Sequence, residues 1–153
     1  MVFVIEDNAW GISVAKQTST AIERNYLRAA AYGMPGVFVP GNDADAIFAA
    51  AGEAIARARA GDGPSLIEIE THRLAGHFMG DGETYRPAGE KEALRQQDPI
   101  PAYHQRLLEL GVLDEVGAAA IDERARGRVD AAVRFARDSA YPAPEEALER
   151  VFV

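Results

Sequence analysis

Short, unbroken apolar runs alternate with longer polar or periodic stretches along the first half of the chain. Residues 2–5 are Val-Phe-Val-Ile, residues 37–39 are Val-Phe-Val, and residues 66–70 are Leu-Ile-Glu-Ile-Glu, apolar but for the two acids. Periodicity alone does not separate a run this short from a helix, but brevity and β-branching favour strands buried on both faces, as in a parallel sheet. The second run lies between Pro35-Gly36 and Pro40-Gly41, and the third is entered from the turn Gly61-Asp62-Gly63-Pro64. Between them, "NDADAIFAAAGEAIARARA" offers Asn42 or Asp43 as an N-cap and sets Ile47, Phe48, Ala51, Ile55 and Ala58 on one helical face, which predicts a βαβ unit. Residues 21–32 are helix-permissive, and the preceding "SVAKQTST" reads as loop. A crossover of this length predicts that the first two strands are parallel neighbours joined by a right-handed connection.

The pattern changes after Glu70. "THRLAGHFMGDGETYRPAGE" has no period, contains four glycines and holds two of the three histidines. A loop of about twenty residues is uncommon in a compact domain without a functional reason. From Glu90 the chain reads as helical, broken at Asp98-Pro99-Ile100-Pro101 and at Gly111. A last long helix starts near Asp114 and aligns Ile121, Ala125, Val129, Ala132, Val133 and Ala136; Pro142 and Pro144 end it before the tail "EEALERVFV". The expectation is an α/β fold, a partial doubly wound parallel sheet of three strands with a helical C-terminal extension.

Composition narrows the functions available. With 16 Lys and Arg against 24 Asp and Glu, a net charge of -8, and no basic cluster interleaved with aromatics, neither nucleic acid nor an anionic membrane surface is an expected partner. The lack of cysteine excludes disulfides, thiolate catalysis and Cys-based metal sites, and fits a cytoplasmic location. No run approaches the roughly eighteen apolar residues of a membrane span.

Two constellations carry chemistry. The first, Asp7-Asn8-Ala9-Trp10-Gly11, follows the first strand, and ligands of open parallel sheets bind at the carboxyl ends of strands. An amide oxygen held there is a hard, neutral ligand suited to Mg²⁺, which takes oxygen donors, often from a diphosphate; the same residues also make an ordinary turn. The second is the loop holding His72, Arg73, His77, Asp81, Tyr85 and Arg86, whose guanidiniums and imidazoles suit a phosphate or carboxylate, or else form a solvated polar loop. Gly76, Gly80 and Gly82, with few acids close to Arg73, His77 and Arg86, predict a loop that is mobile until an anion orders it. Gly61-Asp62-Gly63 and Gly80-Asp81-Gly82 are turn and loop chemistry, and His104 is a helix residue.

The order of these pieces, "VFVIEDNAWGIS", "AAAYGMPGVFVPGND", "ARAGDGPSLIEIETHRLAGHFMGDGETYR" and "DPI" before a helical tail, resembles the alpha subunit of thiamine-diphosphate-dependent 2-oxo acid dehydrogenases, the decarboxylating components of pyruvate, branched-chain 2-oxo acid and acetoin dehydrogenase complexes. The resemblance implies thiamine diphosphate and Mg²⁺ as cofactors, with Asn8 as a metal ligand and Trp10 supplying a ligating carbonyl. Asp7 stands where that family usually has Asn. Ile12 falls where a large apolar side chain lies under the cofactor's thiazolium. His77, the one residue assigned a catalytic part, matches the loop histidine that meets the diphosphate, and Arg73, Asp81, Tyr85 and Arg86 match the rest of the loop. Phe78 replaces a serine that some members phosphorylate.

By the same resemblance the chain is the C-terminal half of such a subunit, with residues 1–88 completing the cofactor-binding domain and residues 89–153 a helical extension. The other side-chain metal ligand, in a Gly-Asp-Gly turn, is expected upstream, so this piece alone is expected to bind cofactor weakly, to be inactive and to associate through its uncovered sheet. The partners implied are a beta subunit, in an alpha2beta2 assembly, and a lipoyl-bearing acyltransferase that takes the acyl group after cleavage of a 2-oxo acid or acetoin. The rival expectation is a non-catalytic remnant that docks with a partner and holds no cofactor.

Overall fold

The computed structural model describes residues 1–149; the last four residues of the expected tail lie outside them. Contacts divide the chain into two compact units, Met1–Gln105 and a second from Arg106 on. The first unit is α/β.

Strand β1 (Val2–Asp7) is followed by a small antiparallel hairpin of β2 (Trp10–Gly11) and β3 (Val14–Ala15), a single helical turn α1 (Lys16–Ser19) and a 3₁₀ segment (Asn25–Tyr32). Strand β4 (Gly36–Val39), helix α2 (Ala44–Ala60) and strand β5 (Ser65–Glu70) complete the βαβ unit. The three expected strands form one parallel sheet in the order β1-β5-β4. In the register, Asp7 of β1 faces Glu70 of β5 and Val39 of β4 faces Ile69. The first two strands are therefore not neighbours, contrary to the sequence expectation. β5 inserts between them and receives backbone hydrogen bonding from both sides, which explains why Ser65, Leu66, Ile67 and Glu68 are all buried.

The core lies between β4, β5 and α2, where Val39, Ala54 and Ile67 are buried and Val2, Ala46, Ile47, Ala50, Ala51 and Ile69 pack around them. Asp43 is the cap of α2: its Oδ1 accepts from the amides of Asp45 at 2.9 Å and Ala46 at 3.2 Å. The face that α2 buries is the alanine-rich one, and Phe48 and Ile55 from the expected face are 82% and 42% exposed. Each follows an inward-facing residue, Ile47 or Ala54, by one position, about 100° around the helix, which turns it to the flank. Gly61, at φ 84°, closes the helix, so Asp62 belongs to the turn as expected.

Two connections differ from the sequence reading. The stretch 13–20, expected as loop, contains β3 and α1, and the helix-permissive stretch 21–32 takes only a 3₁₀ form from Asn25 on. That segment crosses closely over the start of β4. A Cβ at Gly36 would come within 2.4 Å of the Tyr26 carbonyl oxygen, so only glycine permits this approach.

Residues 71–89 hold no helix or strand, as expected, and helices α3 (Glu90–Arg95), α4 (Pro99–Glu109) and α5 (Glu115–Asp138) follow; the break expected at residues 98–101 falls at residues 96–98 instead, with Pro99 and Pro101 in the first turn of α4, where proline is tolerated, and Gly111 lies in the second break as expected. Asp114 caps α5 by accepting from the Gly117 amide at 2.7 Å. Among the described residues none of α5 is buried; the expected apolar stripe is exposed, with Val129 62% and Val133 43% accessible. A short 3₁₀ turn, Pro144–Leu148, follows. No helix among the described residues is long and apolar enough to cross a membrane.

Candidate functional site

At the carboxyl ends of β1 and β5 a cleft of about 580 Å³ opens, lined by Asp7, Asn8, Lys16, Glu70, Thr71 and Glu90 among others. The local sequence explains how β1 ends there. Asp7 Oδ1 accepts the Ala9 amide at 3.1 Å and Asn8 Oδ1 accepts the Trp10 amide at 3.0 Å, two successive side-chain turns that bend the chain out of the sheet. The turn reading of these residues is thus correct, and it leaves the ligand reading open: an amide oxygen has two lone pairs, and Trp10 N–H uses one.

The bend brings two side-chain-bearing residues into the left-handed region, Ala9 at φ 65° and Ile12 at φ 57°. For a β-branched residue this is a true outlier, costing on the order of 1–3 kcal/mol, and such strain clusters at functional sites. The Ile12 carbonyl accepts from Arg73 Nη1 at 2.8 Å, which anchors the strained residue to the long loop.

Beneath the cleft sits a buried charge cluster. Lys16 Nζ donates to Asp7 Oδ2 and, at 3.1 Å, to Oε1 of Glu68, which is fully buried. Burial by itself pushes the Asp7 carboxyl up; the hydrogen bonds from Lys16 and the Ala9 amide and the Lys16 charge overcome it and hold Asp7 below its usual range. Burial likewise opposes the Lys16 charge, and its two carboxylate partners raise it nonetheless.

The long loop is tied by its own residues. Tyr85 Oη donates to Asp81 Oδ2 at 2.6 Å and accepts from Arg73 Nη2 at 2.6 Å; Asp81 also takes the amides of His77 at 2.8 Å and Glu83 at 2.9 Å. These bonds, that from Tyr85 foremost, hold the Asp81 carboxyl at about 2, and the bond to Asp81 pushes the Tyr85 phenol up. Arg86 donates from Nε to Glu90 at 2.7 Å and from Nη1 to the Arg73 carbonyl at 2.9 Å and to Glu83 at 3.3 Å. Lys91 donates to Glu83 at 2.7 Å, the main cause of that carboxyl's lowered pKa. Trp10 packs on Tyr85 at 5.3 Å between ring centroids and donates Nε1 to Glu90 at 3.3 Å, with the Arg73 and Arg86 guanidiniums 5.9 and 6.0 Å from its ring centroid. The expectation of too few local acids fails at Arg86: Glu83 and Glu90, three residues before it and four after, supply them.

Of the sequence-predicted residues, Trp10, Arg73, Asp81, Tyr85 and Arg86 are brought into one cluster, Ile12 joins it through its carbonyl, and Asn8 faces the cleft. His77 is attached to Asp81 through its amide and is otherwise exposed, next to the exposed Phe78 and Met79. Sequence reasoning missed Lys16, Glu68 and Glu90. A signal existed for Glu68, an acid in the middle of the buried run "SLIEIE".

No group of three His, Cys, Asp or Glu that could hold a metal occurs among the described residues. A neutral side-chain oxygen from Asn8, facing the cleft, fits one position of a Mg²⁺ shell, one that main-chain carbonyls, the oxygens of a bound diphosphate and further donors would complete.

Fold and site together define an α/β chain with a cleft lined by oxygen-bearing side chains at the carboxyl ends of parallel strands, where open sheets of this kind bind ligands. The chain belongs to the dehydrogenase E1 component family, whose model matches residues 1–145. Over its whole length it is 39% identical to the alpha subunit of acetoin:2,6-dichlorophenolindophenol oxidoreductase of Cupriavidus necator and 42% identical to that of Bacillus subtilis, covering 46% of each. Over 99% of its length it is 37% identical to the chloroplastic pyruvate dehydrogenase E1 component subunit alpha-3 of Arabidopsis thaliana, covering 36% of that protein. The chain spans less than half the length of these relatives.

Proposed function

We propose that the chain is part of the alpha subunit of a 2-oxo acid or acetoin dehydrogenase, and that its β1 end supplies part of a site for Mg²⁺ and thiamine diphosphate. The observation that carries this reading is the bend after β1, where Asn8 faces the cleft and Ile12 is held in a strained conformation. In this reading the Asn8 side-chain oxygen and the Trp10 carbonyl hold the metal, and Ile12 bears on the cofactor. Arg73 fixes Ile12 through its carbonyl, the bonds among Arg73, Asp81 and Tyr85 set the loop's shape, and Arg86 ties the loop to Glu90. His77, on the exposed part of the loop, meets the diphosphate. Thiamine diphosphate, when bound, supplies the electron sink for cleaving the bond beside the substrate carbonyl. A beta subunit completes the pocket in an alpha2beta2 assembly, and a lipoyl-bearing acyltransferase receives the acyl group.

Calorimetric titration with thiamine diphosphate and Mg²⁺ tests the reading. In the assembled enzyme, Asn8→Ala should weaken Mg²⁺-dependent cofactor binding about tenfold or more while costing about 1 kcal/mol of folding stability, the ordinary effect of losing a turn residue. The isolated chain should bind weakly, because its donors fill only part of the metal's shell. If the assembled enzyme binds no cofactor, or if Asn8→Ala melts early yet binds normally, the chain is a docking remnant or Asn8 is only a turn residue.

A further inference from the structure

Glu68 takes no part in the contacts proposed above, yet it is the fully buried acid of the central strand. A carboxyl group in that position is costly unless paired, and the buried Leu66, two residues earlier on the same face of the strand, shows what packing alone would use there. Its partners explain its presence. Oε1 accepts from Lys16 Nζ at 3.1 Å and Asn25 Nδ2 at 3.3 Å, and Oε2 accepts from the Tyr26 amide at 2.7 Å. Lys16 and Asn25 bracket residues 17–24, of which Gln17, Thr20, Ala21, Ile22, Glu23 and Arg24 line the cleft.

We propose that Glu68 is a positioning residue: one buried carboxyl group pins both ends of the cleft wall formed by residues 17–24 and, through Lys16 and Asp7, fixes the strand end that presents Asn8. The wall carries further ties at its surface: Arg28 Nη2 to Thr20 Oγ1 at 2.8 Å, Arg24 Nη1 to Glu70 Oε1 at 3.5 Å, and the Arg24 guanidinium 4.0 Å from the Phe38 ring centroid. Lys16 serves both structures at once. Its charge is shared between Asp7 and Glu68, so losing it loosens one end of the wall and the Asp7 side of the bend together, while the Lys16 amide keeps its 2.9 Å bond to the Ala9 carbonyl. The purpose of this arrangement rests on the cofactor reading; the geometry of the wall and strand end does not.

The test is nuclear magnetic resonance with hydrogen exchange on the full 153-residue chain without ligand, comparing wild type, Glu68→Gln and Lys16→Met. Glu68→Gln leaves one acceptor oxygen and sets an NH2 donor against the N–H groups on the other side, so at least one end of the wall loses its bond: the Thr20 amide, the Tyr26 amide or both should exchange about tenfold faster relative to the Ile67 amide of the core. Lys16→Met frees one end only: the Thr20 amide should exchange faster, the Asn8 side-chain amide resonances should shift, and the Tyr26 amide should keep its protection. A merely stabilising role would speed exchange throughout and leave the native Asn8 resonances in place. If Glu68→Gln does not fold, Lys16→Met decides. In that variant, either Asn8 resonances or Thr20 exchange left at the wild-type value overturns the proposal. Because no cofactor enters this measurement, its failure would withdraw the role of Glu68 and not the cofactor reading, which stands or falls on the titration above.

Discussion

Arg86→Met tests whether the long loop is held by its own charges. The Arg86 side chain is 3% exposed, and methionine matches much of its length while removing every donor. The loss divides unequally among its partners. Glu83 keeps Lys91 at 2.7 Å, so it contributes little. Glu90 keeps the Trp10 Nε1 hydrogen bond and its side chain is 26% exposed, so water takes up part of the loss and the broken pair costs about 1 kcal/mol. The Arg73 carbonyl loses its donor, and an unsatisfied buried acceptor costs about 1–3 kcal/mol. The sum is about 3 kcal/mol, at the lower end of the range for breaking a fully buried pair. For a chain of this size that lowers Tm by roughly 6–12 °C. Trp10, the single tryptophan, donates to Glu90 and packs on Tyr85, so urea unfolding followed by its fluorescence reads the site directly. A loss under about 1 kcal/mol with an unchanged m-value would refute the reasoning. Arg86 would then be uncommitted, as the loop's composition alone suggests, and free to await an external anion.

Ile12→Gly should change stability by less than about 1 kcal/mol, because relief of left-handed strain offsets glycine's chain entropy and the contacts of a side chain already 57% exposed; a loss above about 2 kcal/mol by urea unfolding would show that Ile12 is a packing residue. Asp81 has a folded pKa held at about 2, below the unfolded value, so its contribution to loop order is complete above about pH 4 and is lost as pH falls toward 2. Near-ultraviolet circular dichroism of the Trp10 and Tyr85 environment should decline in that window, and Asp81→Asn should remove the dependence. Gly36→Ala should destabilise by about 1–3 kcal/mol, because its Cβ would meet the Tyr26 carbonyl, whereas Gly52→Ala, in α2 with nothing within 4 Å, should stabilise by about 0.5–1 kcal/mol; thermal melts of the pair check both signs.

Short-range chemistry made much of this protein legible in its sequence. Three brief β-branched runs marked the strands. Asp43 and Asp114 sat where helix caps belong, Pro99 marked the start of α4 and Gly111 the break after it, and the aperiodic stretch after Glu70 did become irregular. The order of the Asp7-Asn8 bend, the turns and the Arg73 to Arg86 loop was enough to point to the family that the comparison then found. Each of these signals lies within a few residues of the structure it specifies. The order β1-β5-β4, the alanine-rich rather than Phe48-bearing face of α2, and the 3₁₀ form of residues 25–32 were decided by packing between distant segments.

The site divides along the same line. Asn8 and the loop residues announce themselves by type and position, but their local order does not show that Arg73 reaches back to Ile12, that Trp10 meets Glu90, or that Lys16 finds Glu68. These pairs lie between 52 and 80 residues apart in the chain. A charge in a sequence has many possible partners, and only the folded chain, by burying some and excluding water from them, selects the one it keeps.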